Sequence, residues 1–163
     1  MYKKVLVPLD GSALAEKVLP HVSALAKATG AEVTLISVVQ LTMGASASKL
    51  EAAPEAAEEH KRALMAEAQL YLQKVQRDLK NQGVSAHYFA LEGDIAGEII
   101  TYGEQKGFDL IAMATHGRSG VDRFIMGSIA EKVVRGTVKP VLLIRALAVI
   151  PRQVPWADTQ VGG

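Results

Sequence analysis

An α/β fold with a single doubly wound parallel sheet is what this 163-residue sequence predicts, on three grounds. Short apolar, β-branched runs alternate with stretches whose apolar residues recur every three or four positions. The connections between them are short. One run, "DLIAMAT" (109–115), is too continuously apolar to be half exposed and belongs near the sheet centre. Right-handed crossovers put such strands into one sheet of about five strands, with about four helices covering both faces.

"KVLVPLD" (4–10) reads as the first strand, closed by Asp10-Gly11-Ser12, a turn able to cap a helix. Leu14, Val18, Val22 and Leu25 mark the first helix, which stops at Gly30. Pro20 falls inside that helix, where an interior proline costs ~3 kcal/mol and kinks the axis. "EVTLISVV" (32–39) is the second strand. From about 40 to 58 the composition turns to Ala, Ser, Gly and Pro, which predicts a mobile insertion, partly helical after Pro54. Leu64, Ala68, Tyr71, Val75 and Leu79 mark a long helix ending at Gly83, and "VSAHYFAL" (84–91) the third strand. A helix follows with Ile95, Ile99 and Ile100 on one side, up to Gly107. After the central run come a helix from about Ser128 to Arg135 and the strand "PVLLIR" (140–145). Residues 1–145 thus form one domain. The stretch 146–163, with Trp156 and no periodicity, reads as an arm or extension.

Composition narrows the function classes. Apolar residues make up 49% and charged ones 21%, the balance of a soluble domain. With 18 basic and 17 acidic residues the net charge is +1, so no broad field favours nucleic acid or an anionic membrane. Zero cysteines exclude disulfides and thiolate metal sites. The apolar run at the start breaks at Pro8 and Asp10, too short for a signal peptide, and no 18-residue apolar run spans a bilayer. A cytoplasmic protein without membrane or nucleic-acid partners is expected. His21, His60, His87 and His116 lie in four different elements without ligand spacing, so no metal site is expected from them. The run "EHKR" (59–62) reads as a solvated helix face, and Met113 and Met126 as packing.

In an open α/β sheet, ligands bind outside the C-terminal strand ends where the chain order reverses. Two loops fall at such ends: Pro8 to Ser12, and Ala114 to Ser128 within "MATHGRSGVDRFIMGS" (113–128). Small residues there let backbone approach a ligand. Gly127-Ser128 opens a helix whose N–H groups and dipole favour an anion, with the Ser128 hydroxyl beside them. A polyphosphate fits without the lysine of a P-loop, because main-chain donors carry the contact. The same glycines also suit a tight turn and a helix start with no ligand. Asp10 likewise either caps the first helix or meets the ligand.

Counted from Gly117, residues 118–126 precede Gly127-Ser128, and Ala114 lies three positions before Gly117. This spacing resembles G-2x-G-9x-G-[S/T], the ATP-binding signature of the universal stress protein family. The resemblance runs from about Tyr2 to Arg145, through "KVLVPLDGS", "EVTLISVV", "EGDIAGEII" and "GSIAEKVVRGTVKPVLLIR". It implies strand order 3-2-1-4-5, a homodimer through the last strand, and ATP, with Mg²⁺, as ligand. Pro8 and Asp10 would then line the nucleoside side, Asp10 meeting the ribose or a metal. Backbone around Val38 would read the adenine edge, with Met113 and Ala114 flanking the nucleoside. Gly117, Gly127 and Ser128 would contact phosphates, Ile129 adding its N–H. Thr115, His116, Arg118 and Ser119 complete the implied cofactor-binding set, with no catalytic residue.

Ala114 departs from the signature's first glycine. If the position needs a positive φ, alanine costs roughly 1–2 kcal/mol; the strand before it and Thr115 after it favour an extended conformation. The implied function is an ATP-binding stress-response regulator that hydrolyses ATP slowly or not at all, since Asp10 and His116 are the only titratable groups near. The alternative is a homodimeric interaction module of the same fold that holds no nucleotide. An adenylating enzyme would need a glycine-serine-rich loop after the first strand, and a dinucleotide enzyme G-x-G-x-x-G; "PLDGS" is neither.

Overall fold

The computed structural model describes residues 1–41, 54–116 and 127–146. Five parallel strands form one sheet: β1 (Lys4–Pro8), β2 (Glu32–Val39), β3 (Ala86–Glu92), β4 (Leu110–His116) and β5 (Val141–Ala146). Their spatial order is β3-β2-β1-β4-β5. Among the described residues, four α-helices connect them: α1 (Leu19–Thr29), α2 (Pro54–Asn81), α3 (Ile95–Gln105) and α4 (Ser128–Gly136). Residues 42–53, most of the predicted insertion, and 147–163, which include Trp156, lie outside the described residues.

Alternate residues of the strands feed two cores. Val5 and Val7 of β1, Val33 and Leu35 of β2, and Leu110 and Ala112 of β4 pack with Val22 of α1 and Leu72, Val75 and Leu79 of α2. Leu6, Ile36, Ile111 and Met113 point the other way, against Ala96 and Ile99 of α3 and Ala130 and Val133 of α4. Both faces are covered, which is why the inner strands read as unbroken apolar runs rather than alternating ones.

Two expectations need correction. Pro20 does not kink a helix: Ala15–Val18 form a 3₁₀ turn, α1 starts at Leu19, and Pro20 sits in its first turn. The missing N–H would have had no intrahelical acceptor there, and the fixed φ suits a helix start. The end of the insertion is helical, as expected after Pro54, where α2 begins. Its opening "PEAAEEHKRA" combines a proline at the start with strong helix formers, and its exposed residues need no apolar stripe to declare them. Finally, Leu72, absent from the predicted stripe, is fully buried, whereas its neighbour Tyr71 is half-buried. Strand ends shift by one or two residues, as with β3 and β4. Gly30 takes the expected stop position, at φ 72°, its N–H donating to Ala26 O at 2.8 Å.

Polar side chains tie the ends of the sheet. Asp109 Oδ2 accepts from Lys3 N at 2.8 Å and Lys4 N at 3.0 Å, and Asp109 N donates to Lys4 O at 2.9 Å, fixing β4 against β1. On the outer strand, Gln76 Nε2 of α2 donates to Ala86 O at 2.7 Å, and Lys61 Nζ pairs with Glu58 at 3.0 Å and Glu92 at 3.5 Å. The "EHKR" run is therefore largely a solvated face, with Lys61 reaching the end of β3. Among the described residues, no helix is long and apolar enough to cross a membrane, and no group of three His, Asp or Glu could hold a metal ion.

Two measurements probe this packing. Leu72→Ala costs about 2–5 kcal/mol in urea unfolding, whereas Leu70→Ala, two positions away and 68% exposed, stays within about 0.5 kcal/mol. Equal costs would mean the buried face of α2 is misassigned. The Lys3 and Lys4 amides hold the Asp109 carboxyl below its usual range. Because the folded value is the lower one, this stabilisation is present above the unfolded carboxylate pKa of about 3.9 and disappears as pH falls through the folded value. An NMR titration of Asp109 with a midpoint at or above that of a free aspartate would contradict the assignment.

Candidate functional site

The β1–β2 ladder ends at Pro8↔Ile36 and the β1–β4 ladder at Leu6↔Ile111, while β2 runs on to Val39 and β4 to His116. Proline has no N–H to extend a ladder. The neighbouring strands therefore overhang the end of β1 and enclose a cavity of about 230 Å³. Pro8, Leu9 and Asp10 line it from β1 and the turn beyond, with Leu14 and Ala15 from the 3₁₀ turn. Val38 enters from β2, Ile95 and Ile99 from α3, Met113, Ala114 and Thr115 from β4, and Gly127, Ser128, Ile129 and Ala130 from the start of α4.

Each wall has its own chemistry. Asp10 Oδ1 accepts from Ser12 N at 2.9 Å and Ser12 Oγ at 2.6 Å, and Ser12 Oγ accepts from Ala15 N at 3.1 Å. Gly11 completes this turn at φ 82°, a region where a side chain is strained. Capping thus falls to Ser12, with Asp10 orienting it, and Asp10 is also the one carboxylate in the described lining. Beside this turn the Tyr71 hydroxyl donates to Glu16 Oε1 at 3.1 Å. Burial, then the negative charges of Glu16 and Asp10, push its pKa well above the usual phenol value.

Main-chain groups supply the rest. Hydrogen bonds along β2 alternate sides: toward β1, Glu32 N donates to Lys3 O and Leu9 N to Ile36 O, both at 2.8 Å. Toward β3, Val33 N donates to Ser85 O at 2.9 Å and Gly93 N to Val39 O at 3.2 Å. By that alternation the N–H and C=O of Val38 face the β1 side, beyond the last β1–β2 pair. Across the cavity, α4 makes its first helical bond from Glu131 N to Gly127 O at 2.9 Å and has no side-chain cap. The N–H groups of Ser128, Ile129 and Ala130 precede that bond, so no carbonyl of the helix accepts from them. Together with the dipole they make this wall attractive to an anion.

Of the residues singled out in the sequence, Pro8, Asp10, Val38, Met113, Ala114, Thr115, Gly127, Ser128 and Ile129 meet around this one cavity. His116 is the last residue of β4, paired with Ala146. Gly117, Arg118 and Ser119, with Gly120 and Met126, lie outside the described residues. Ala114 is extended and paired with Ile144, and no described non-glycine residue has a positive φ, so its methyl group brings no backbone strain. Met113, at 6% exposure, packs in the core and lines the cavity as well. Sequence reasoning held Leu9 only as part of the Pro8–Ser12 loop and missed Leu14, Ala15, Ile95, Ile99 and Ala130. Leu14, Ile95 and Ile99 were visible as helix-periodic apolar residues, which carries no sign that a core face continues into a cavity.

Comparison with known proteins agrees with this architecture. The profile of the universal stress protein family matches residues 1–145. Universal stress protein MJ0531 of Methanocaldococcus jannaschii is 37% identical over 147 residues, covering 89% of this chain and 83% of its own. The solved structure of MJ0577 from the same organism superposes with a TM-score of 0.76 at 30% identity, covering 91% of this chain and 99% of that one. The universal stress protein of Archaeoglobus fulgidus, solved in complex with dAMP, shares the fold with a TM-score of 0.58 at 21% identity, over 88% of this chain and 98% of that one. With the family profile spanning residues 1–145 and a relative this similar along most of its length, the chain belongs to the universal stress protein family.

Proposed function

We propose that this protein is a nucleotide-dependent regulator of the stress response, a cytoplasmic homodimer that binds ATP with Mg²⁺ in the cavity above β1. The observation that carries the reading is the α4 N-terminus, which has no side-chain cap among the described residues and opens onto a cavity whose far wall offers the main chain of Val38. A main-chain donor and acceptor on one side of a strand match the ring-nitrogen acceptor and amino donor of adenine; guanine presents the opposite pattern. The aliphatic side chains of Ile95, Ile99 and Met113 suit the faces of a base. The complex of the Archaeoglobus relative with dAMP points to the same ligand class.

In this reading Pro8, Met113 and Ala114 flank the nucleoside, and Asp10 meets the ribose or the metal through the carboxylate oxygen not held by Ser12. The N–H groups of Ser128 and Ile129, with Gly127 and the Ser128 hydroxyl, hold phosphate oxygens; Gly117, His116, Arg118 and Ser119 complete that end. ATP contributes negative charge that the α4 dipole and Mg²⁺ balance. Asp10 is engaged in a turn and is poorly placed as a base toward a terminal phosphate, so the protein holds nucleotide rather than consuming it. Self-association falls to β5, an edge strand whose Val141 to Ile144 remain half-buried. Val134, 37% exposed, and Val138, 86% exposed, extend the apolar surface nearby.

Thermal unfolding with ATP and Mg²⁺ checks the ligand: at about 100 times its Kd, nucleotide adds about 2.7 kcal/mol. A melting temperature unmoved by millimolar ATP, with no nucleotide released when the purified protein is denatured, rules the reading out. ATP turnover stays far below the ~1–10³ s⁻¹ of ordinary enzymes; a rate in that range argues for an enzyme instead. Leu143→Glu converts a dimer into a monomer by light scattering if β5 is the interface, and an unchanged mass excludes that edge.

A further inference from the structure

We propose that Thr115 is a positioning residue that holds the α4 N-terminus against the cavity, and thereby sets affinity for the phosphates of a nucleotide but not for its nucleoside. The inference rests on the nucleotide reading above. Thr115 is 3% exposed, and its Oγ1 accepts from Gly127 N at 3.1 Å, across twelve residues of sequence. Its own backbone is fixed by the β4–β5 ladder, opposite Arg145.

The need for such a bond follows from the residue at the helix start. An ordinary N-cap side chain accepts from the N–H groups of the first turn and so occupies the donors an anion would use. Gly127, with φ −59° and ψ 146°, has no side chain and leaves those donors open. The same glycine gives the helix start no anchor of its own. Thr115 supplies the anchor from another element and bonds to the N–H of Gly127 itself, one residue before the donors that face the cavity.

The effect is local to one end of the site. Thr115 stands on β4 and Val38 on β2, with β1 between them. Two inter-strand spacings put those walls roughly 9–10 Å apart. Loss of the Thr115 bond therefore shifts the phosphate wall and leaves the base wall in place.

Calorimetric titration of the full chain with ATP, with Mg²⁺ present, and with adenosine tests this in wild type, Thr115→Val and Thr115→Ser. Valine keeps the shape but removes the acceptor; the expected result is ATP binding weakened by about ten-fold or more, with adenosine within about two-fold of wild type. Serine restores ATP binding. Equal ATP affinity in Thr115→Val, an equal loss for both ligands, or failure of serine to rescue overturns the proposal. A wild type that binds neither ligand overturns the nucleotide reading and the proposal with it. Amide exchange of the ligand-free wild type gives a second check independent of the variants: Gly127 N–H is protected, and exchange at the rate of an open loop contradicts the bond.

Discussion

β1 is hydrogen-bonded on both edges and buried on both faces, and every other element takes its position from it. Its partners β2 and β4 lead away in opposite directions, so α1 and α2 cover one face and α3 and α4 the other. Because β1 ends at Pro8 while its neighbours continue, the most buried place in the sheet is also where the sheet stops being filled. Three strand ends and a helix start then surround one space, and main-chain polar groups that would otherwise extend a ladder face it. The cavity is thus a product of unequal strand lengths, and residues far apart in sequence meet there without any of them being individually unusual.

That origin explains what could be read in advance. Strand existence and order of appearance follow from runs such as "KVLVP" and "DLIAMAT", whose period and composition are local properties. Gly127-Ser128 is visible because glycine and a hydroxyl at a helix start are also local. The Thr115–Gly127 bond is not legible, since it spans twelve residues and exists only once β4 and α4 have docked. Ile95 and Ile99 were legible as apolar and not as cavity walls, because one periodicity serves both roles. Pro20 and Pro54 carried the opposite ambiguity. A proline suits the first turn and breaks the interior, and only the true boundary of each helix tells which applies.

Ala114 illustrates how much a position's conformation decides. A glycine in a family signature invites the inference that backbone freedom is required there. Here the residue lies in the extended body of β4, paired with Ile144, where alanine is at no disadvantage. What remains of any preference for glycine is space: a methyl group faces a cavity already lined by small and aliphatic groups. The departure is therefore a matter of ligand fit rather than of folding.

The two rims of the sheet are not equivalent. Along β3, α2 lends Gln76 to the carbonyl of Ala86 and Lys61 to the carboxylate of Glu92, so side chains from the long helix occupy both ends of that rim. Along β5, Val141 to Ile144 are half-buried and Arg145 is exposed. A sheet with two open rims can add copies without limit, strand upon strand, whereas a sheet with one sticky rim closes on itself as a twofold pair and stops. If β5 pairs with a second copy as proposed, the α2 side chains along β3 act as a terminator that keeps the assembly from growing into a filament.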